Sequence, residues 1–319
     1  MNSQIPPTLV IFNPTAGNGR ARAYWPSVES ALLESGLAFN VAATSAPFHA
    51  RELAQQAVDE YSQVIAVGGD GTVHEIVNGL MRASQERETI PLGVVPLGNG
   101  DDFAKMIPPE TPIGSKPFDW RAAVQKITRG QTQLFDVGRV SADHLRPEYG
   151  SGSYYFVNSF DVGFGAHTAQ NLTTIPTFFK GLSAYLASIV KTMINYPNLN
   201  LRLQLDDHAP FEQPSTITAV MNGRCVGNSF WFCPDARADD GVFDLMVGKK
   251  VGRITILRLI PKLMRGTHIN EPVVRMYRAQ RVVIESQEPI VVETDGEIPF
   301  LETHRVELKV LHKRLRVII

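Results

Sequence analysis

Residues 64–80, VIAVGGDGTVHEIVNGL, constrain the fold more than any other stretch of the chain. The run starts as a strand with apolar residues on both faces. It ends with Val73, Ile76, Val77 and Leu80 at the i, i+3, i+4, i+7 spacing of a helix. Glycines and Asp70 make the turn between them. A strand that is apolar on both faces and runs straight into a helix belongs in a parallel sheet covered on both sides. The neighbouring segments repeat this alternation. TLVIF, AFNVAAT and IPLGVVPL read as further strands, residues 24–37 and HARELAQQAVDEY as helices, and DDFAKM as the opening of another helix.

The pattern changes after LFDVGRV. SYYFVNSF, LRLQL, STITAVM, VFDLMV, RVVIES, IVVET, RVELKV and RLRVII are strand-like, and several alternate apolar with polar residues. Such alternation indicates antiparallel strands with one wet face. One helical insertion, PTFFKGLSAYLASIVKTMINY, interrupts them. The prediction is therefore an α/β chain. Residues 1–136 would form a Rossmann-like three-layer domain with a parallel sheet. Residues 137–319 would form a β-rich, sandwich-like domain whose last strands return to the first. A length of 319 residues suits two cores better than one.

A formal net charge of −1 gives no support for nucleic-acid binding through bulk electrostatics. Cys225 and Cys233 make no disulfide framework and fit a reducing compartment. MNSQIPPTLVIFNP lacks the basic region of a secretory leader, and no apolar run is long enough to span a bilayer. The expected location is cytoplasmic, with peripheral contact at a membrane surface if the substrate is a lipid.

Ligands of open parallel sheets gather where strands end at the carboxyl edge. Three of these ends are rich in glycine: FNPTAGNGRA, GGDGT and PLGNGDDFAK. Glycines let backbone amides approach a ligand, and a helix N-terminus directly after such a turn favours an anion. No Gly-Lys-Ser/Thr follows, so none of these is a Walker loop. Asp70 would repel phosphates unless Mg²⁺ or an acceptor hydroxyl lies between them. His74, on the polar face of the helix, reads as a solvated residue. The later loops CPDARADDGVFDL and VVETDGEIP add carboxylates around Asp-Gly turns. Such turns are ordinary hairpin signals, but Asp295 and Glu297 could accept a proton from an attacking hydroxyl.

Together these blocks resemble the diacylglycerol kinase catalytic-domain family, which includes bacterial soluble lipid kinases and is related to sphingosine and ceramide kinases. GGDGTVHEIVNGL is the most specific block; NPxxG, PLG…DFA, FDVG, NGRCVGNSFWFCPDARADDG and DGE follow in the family's order. The resemblance implies transfer of the γ-phosphate of ATP, with Mg²⁺, to a lipid hydroxyl. The first expectation is diacylglycerol giving phosphatidic acid. A sphingoid base, ceramide, phosphatidylglycerol or a soluble acceptor such as a dinucleotide stays open, as does a nucleotide-binding regulator with weak catalysis. By position, Asn13, Pro14, Thr15, Ala16, Gly17, Thr44, Gly68, Gly69, Asp70, Gly71, Thr72 and Asn99 match nucleotide contacts. Glu297, with Asp295 beside it, matches the proton acceptor, and Asp70 an acidic position at the active centre together with Asp102 and Asp136. Asp240 matches a metal ligand, with the backbone carbonyls of Arg237 and Val242. The chain departs from the family's PLGTxNDFA at Asn99 and Asp101, and the extra charge of Asp101 would weaken ATP binding or raise its need for Mg²⁺. No nucleic-acid partner is expected; pairing through an exposed β-edge would give a homodimer.

Overall fold

The computed structural model describes residues 7–108, 112–113, 119–150, 152–176, 179, 182–194, 196 and 198–319. Its elements are β1 (Thr8–Phe12), α1 (Arg20–Glu34), β2 (Phe39–Ala43), α2 (His49–Ala57), β3 (Gln63–Gly68), α3 (Asp70–Ala83), β4 (Leu92–Pro96), α4 (Trp120–Arg129) and β5 (Thr132–Ala142). They continue with β6 (Tyr154–Phe156), β7 (Ser159–Gly163), α5 (Phe164–Leu172), α6 (Leu182–Ile194), β8 (Leu199–Leu205), β9 (Phe211–Met221), β10 (Phe243–Lys249), α7 (Arg253–Met264), β11 (Val274–Ala279), β12 (Arg281–Thr294) and β13 (Glu297–Ile318). The chain divides into two compact units. One comprises Met1–Thr111, Ser115–Val137 and Leu311–Ile319; the other comprises Pro112–Gly114 and Gly138–Val310.

In the first unit β2, β1, β3 and β4 pair in parallel in that order, and the tail of β13 joins β4 through Val317 and Leu92. All five residues of β1 and of β4 are buried, as the unbroken apolar runs require. Val10, Phe12, Ile65, Val67 and Val95 form one sheet face with Val28 and Leu32 of α1 and Trp120, Val124 and Ile127 of α4. Helices α2 and α3 pack on each other and on β1 and β3. Their crossing is tight because residue 79 is glycine: a Cβ there would lie 2.3 Å from the carbonyl oxygen of Arg51. The Glu75 carboxylate accepts the amides of Phe48 and Ala50 at 2.9 and 3.1 Å and so caps α2. The second half of GGDGTVHEIVNGL thus organises packing rather than a ligand.

The second unit is antiparallel. Its strands run β11-β10-β9, and β9 and β12 are then bridged by two short strands placed end to end. β8 pairs with the first halves of β9 and β12, and β7 with their distal halves. β12 pairs onward with β13. Helices α5, α6 and α7 contribute Phe164, Ile189, Met193 and Ile256 to a core shared with Phe230, Phe232 and Met246. The chain is thus mixed α/β with a sheet-rich C-terminal region.

Several local expectations need correction. RVVIES and IVVET are one strand, β12, whose register against β13 shifts between Glu285 and Ile290, where the polar SQEP segment breaks the apolar pattern. RVELKV and RLRVII likewise merge into β13, which turns locally at Glu302 and Lys313, both at positive φ. DDFAKM forms a single 3₁₀ turn, Ala104–Met106, because Ile107 precedes Pro108 and is held extended at ψ 122°. Helix α7 was not legible: Pro261 within it reads as a helix breaker. Of PTFFKGLSAYLASIVKTMINY, residues 177–178, 180–181 and 195 lie outside the described residues.

Candidate active site

Because β1, β3 and β4 are parallel, the loops that leave their carboxyl ends share one edge of the first unit. They are bonded to one another. Asn13 Nδ2 donates to Thr72 Oγ1 at 2.9 Å, while Asn13 Oδ1 accepts the amide and hydroxyl of Thr15 at 3.0 and 2.8 Å. Arg20 donates to the Leu97 carbonyl at 3.4 Å and approaches Asp101 at 3.7 Å. Gly69 and Gly98 touch backbone to backbone: a Cβ on Gly69 would lie 2.7 Å from the Gly98 Cα. No residue with a side chain fits either position without parting the loops. Pro14, Ala16, Gly17, Gly68 and Gly71 belong to the same loops, and Thr44 is tied to β1 by its amide N–H, which donates to the Phe12 carbonyl at 2.8 Å. Asn99 is exposed at the tip of the third loop. Helices α1 and α3 both start at this edge without a side-chain cap. Their first-turn amides and the helix dipole favour an anion there.

Three carboxylates crowd the same loops. Asp70 accepts the Phe103 amide at 3.0 Å through Oδ1, and a Cβ on Gly100 would lie 2.8 Å from its Oδ2. Burial, and then the charges of Asp102 and Asp101, push its carboxyl up to about 8. Asp102 forms a 2.7 Å ion pair with Lys105, both side chains nearly inaccessible. Asp101 turns back on its own loop: at φ 53° its Oδ1 accepts the Gly98 amide at 2.8 Å, and burial pushes its carboxyl up to about 6 against that amide and Arg20. Arg20 therefore offsets the charge that sets Asp101 apart from the family pattern. Asp136 lies elsewhere in the unit, fully buried, where it anchors the tail of β13 by accepting from His312 at 2.8 Å and the Lys313 amide at 2.7 Å. His74 is not solvated as its place on the helix suggested. It is 3% exposed, with Asn78 3.3 Å from its Nε2.

The second unit holds the other sequence-derived candidates. Asp295, at φ 50° in the turn between β12 and β13, accepts three backbone amides, those of Val157, Asn158 and Ser159, each at 2.9 Å. Both its oxygens are engaged. Gly296 donates its amide to Glu293, a buried acid opposite Asp161 in the β7–β12 pairing. Glu297 accepts the Tyr149 phenol at 2.9 Å through Oε2. Burial and the Glu297 charge push the Tyr149 phenol up, so it remains a donor. Arg146 stacks over the Tyr149 ring at 5.5 Å and donates to the Ile298 carbonyl at 3.0 Å. Sequence reasoning missed Tyr149, Arg146 and Glu293. The first two lie about 150 positions from the turn they hold, and no local signal links them to it. Asp240 is ion-paired with Arg278 and accepts the Val242 amide at 3.3 Å. Arg237 pairs with Asp239 at 3.3 Å.

Among the described residues no three His, Cys, Asp or Glu side chains converge to hold a metal ion. The Asp240 set does not fit a cation in this arrangement, because the Arg278 guanidinium already occupies its carboxylate. Among the described residues Asp70 carries no such cationic partner on its carboxylate. It is a half-buried acid beside two other carboxylates, and a divalent cation arriving with phosphates would favour its charged form.

The second unit also contains an apolar cavity lined by Phe164, Tyr185, Ile189, Phe230, Met246 and Ile260, among others. Its volume is about 80 Å³, and it opens in part to solvent. Among the described residues no Asp or Glu lines it, and Lys249 is the one Lys or Arg that does.

The comparisons with known proteins make the chain a phosphotransferase. The family profile "Diacylglycerol kinase catalytic domain" matches residues 7–140, and "YegS C-terminal NAD kinase beta sandwich-like domain" matches residues 158–319. The chain belongs to the diacylglycerol kinase catalytic-domain family of lipid kinases. It is 28% identical to a diacylglycerol kinase of Bacillus subtilis (strain 168) over 291 residues, covering 90% of this chain and 88% of that one. It is 26% identical to a diacylglycerol kinase of Staphylococcus carnosus (strain TM300), covering 90% and 87%. A crystal structure of a diacylglycerol kinase from Bacillus anthracis str. Sterne shares the fold, with a TM-score of 0.69 at 20% identity and coverage of 99% and 98%.

Proposed function

We propose that this lipid kinase phosphorylates the free hydroxyl of diacylglycerol with ATP, giving phosphatidic acid. The apolar cavity carries the choice of acceptor. Its lining suits acyl chains and offers no carboxylate to balance the ammonium of a sphingoid base. It also lacks the polar walls that a dinucleotide would need. The parallel strands of the first unit serve as a Rossmann-like nucleotide layer. The three bonded loops, with Asn13, Thr15 and Thr72 and the amides at the start of α3, receive the phosphates. Mg²⁺ bound with the nucleotide would neutralise phosphate charge, and Asp70 is the residue suited to hold it.

Glu297 acts as the general base. Tyr149 fixes one carboxylate oxygen and leaves the other to accept the hydroxyl proton. As that proton leaves, the hydroxyl oxygen attacks the γ-phosphorus and ADP departs. The protein's share in such a transfer is positioning and charge neutralisation. Asp295 holds the turn that presents Glu297, and its three amide bonds favour that role over the base's. The test is Mg-ATP turnover on mixed micelles that contain diacylglycerol, ceramide, sphingosine or phosphatidylglycerol. Diacylglycerol should be the best acceptor. Background rates on every lipid would sink the proposal, and preference for sphingosine would overturn the argument from the cavity lining.

A further inference from the structure

The residues around the cavity carry a second pattern. Of the eleven large hydrophobic side chains exposed among the described residues, six lie on α5 to α7 or the segment joining α5 to α6: Leu172, Phe179, Val190, Ile194, Ile254 and Leu257. Ile254 is 69% exposed, Ile194 63% and Val190 59%. On α7, Ile254, Leu257 and Pro261 recur at i, i+3 and i+7 on its outer face, with Arg258 among them. On α6, Val190 and Ile194 stand one turn apart beside Lys191. The two helices are joined at these ends. The Arg253 guanidinium donates to the carbonyls of Met193 and Ile194 at 2.7 and 2.8 Å. The Lys191 ammonium reaches Thr174 at 2.6 Å and ties the α5–α6 segment to the same side.

Charge is distributed just as unevenly. Residues 162–205 contain no Asp or Glu, and neither do residues 245–270. The whole chain carries 32 acidic residues in 319, so stretches of this combined length would ordinarily hold about seven. Basic residues remain: Lys180, Lys191 and Arg202 in the first stretch and Lys249, Lys250, Arg253, Arg258, Lys262 and Arg265 in the second. Of the latter, Lys262 pairs with Glu271, while Lys250, Arg253, Arg258 and Arg265 are exposed. A chain of net charge −1 thus concentrates positive charge around its exposed apolar side chains. The opposite faces of the same helices wall the cavity, through Tyr185 and Ile189 of α6 and Ile256, Leu259 and Leu263 of α7.

We propose that the outer face of α6 and α7 docks on an anionic bilayer, inserting Val190, Ile194, Ile254 and Leu257 among the acyl chains while Lys191, Arg258 and Arg265 meet lipid phosphates. Apolar residues on one helix face with basic residues beside them are the signature of an interfacial helix. Anionic lipid headgroups attract such basic residues. A soluble partner would account for the apolar side chains without the acid-free stretches. Docking would bring the cavity wall against the membrane from which a lipid acceptor must come. That purpose rests on the lipid-acceptor reading, but the binding itself does not.

The experiment is cosedimentation of the full chain with phosphatidylserine-containing vesicles, without nucleotide. Binding is expected to these vesicles and not to pure phosphatidylcholine, and raised salt should weaken it. Ile254→Ser/Leu257→Ser and, separately, Arg258→Glu/Arg265→Glu should each lower the partition by about tenfold or more. Both double variants should keep the wild-type melting temperature, because these side chains are exposed. Neither should change turnover of a monomeric short-chain diacylglycerol. Absence of wild-type binding, or equal binding by both variants, overturns the proposal. So does a wild-type dimer in solution that Ile254→Ser/Leu257→Ser converts to monomer, since a second copy would then cover the face. If the wild type binds vesicles yet phosphorylates no lipid, docking stands and the acceptor reading falls.

Discussion

Asp295→Asn separates a carboxylate that holds a turn from the one proposed to take a proton. The three amides at 2.9 Å divide between its oxygens: Asn158 and Ser159 donate to Oδ1, Val157 to Oδ2. An asparagine can direct its carbonyl at the first two. Its NH₂ then faces the Val157 amide donor to donor, next to a residue only 2% exposed. A stranded buried donor costs about 1–3 kcal/mol, and hydrogen bonds to a neutral acceptor are weaker than those to a charged one by about 1 kcal/mol. The expected loss is therefore about 3 kcal/mol. At roughly 2 kcal/mol per molar of urea, the unfolding midpoint should fall by about 1.5 M. Glu297→Gln makes the contrast. Its carbonyl still accepts the Tyr149 phenol, so stability should shift by less than about 1 kcal/mol. Single-turnover phosphoryl transfer should nevertheless drop by about 10²–10⁴, because the amide cannot take the proton. Nucleotide affinity, measured by calorimetry, should stay near wild type. If Asp295→Asn unfolds with the wild type but loses transfer while Glu297→Gln stays active, the two roles are reversed. If both variants transfer at the wild-type rate, the turn is only a hairpin.

Gly69→Ala drives a Cβ toward the Gly98 Cα at 2.7 Å. It should part the second and third loops and weaken ATP binding by an order of magnitude or more in a calorimetric titration; wild-type affinity would place the nucleotide away from this contact. Lys105→Met leaves the nearly inaccessible Asp102 without its cation, beside two other acids, and should destabilise the chain by about 3–5 kcal/mol in urea unfolding. The Asp70 carboxyl, raised in the folded chain to about 8, binds a proton there that the unfolded chain has already released. Its burial is therefore tolerated below pH 4, and its contribution to stability is lost progressively as pH rises from about 4 to about 8. Asp70→Asn keeps an acceptor for the Phe103 amide and removes that loss. Its melting temperature relative to wild type should climb between pH 5 and about 8.5, whereas a constant difference would refute the raised value.

Local sequence was enough for the apolar strands and the glycine turns of the first unit. Those signals are periodicity and backbone freedom, which a short segment carries by itself. TLVIF and LGVVP are uniformly buried, and QVIAV is buried from Val64 onward, because a parallel sheet is covered on both sides. GGDGT marked the turn before α3 because few other residues permit it. The same reasoning found Glu297 and Asp295 as acids in a turn but could not separate their tasks. That distinction depends on Val157, Asn158 and Ser159, which donate to one, and on Tyr149, which donates to the other, all more than 130 positions away. Equally, nothing local distinguishes Glu75, which caps a helix, from Asp70, which is pressed against two other acids. A carboxylate's chemistry is set by what desolvates it and what donates to it, and in this chain tertiary packing decides both. The merged strands β12 and β13 follow the same logic, since a polar interruption ends a strand in sequence but only a partner's register shows whether pairing continues across it.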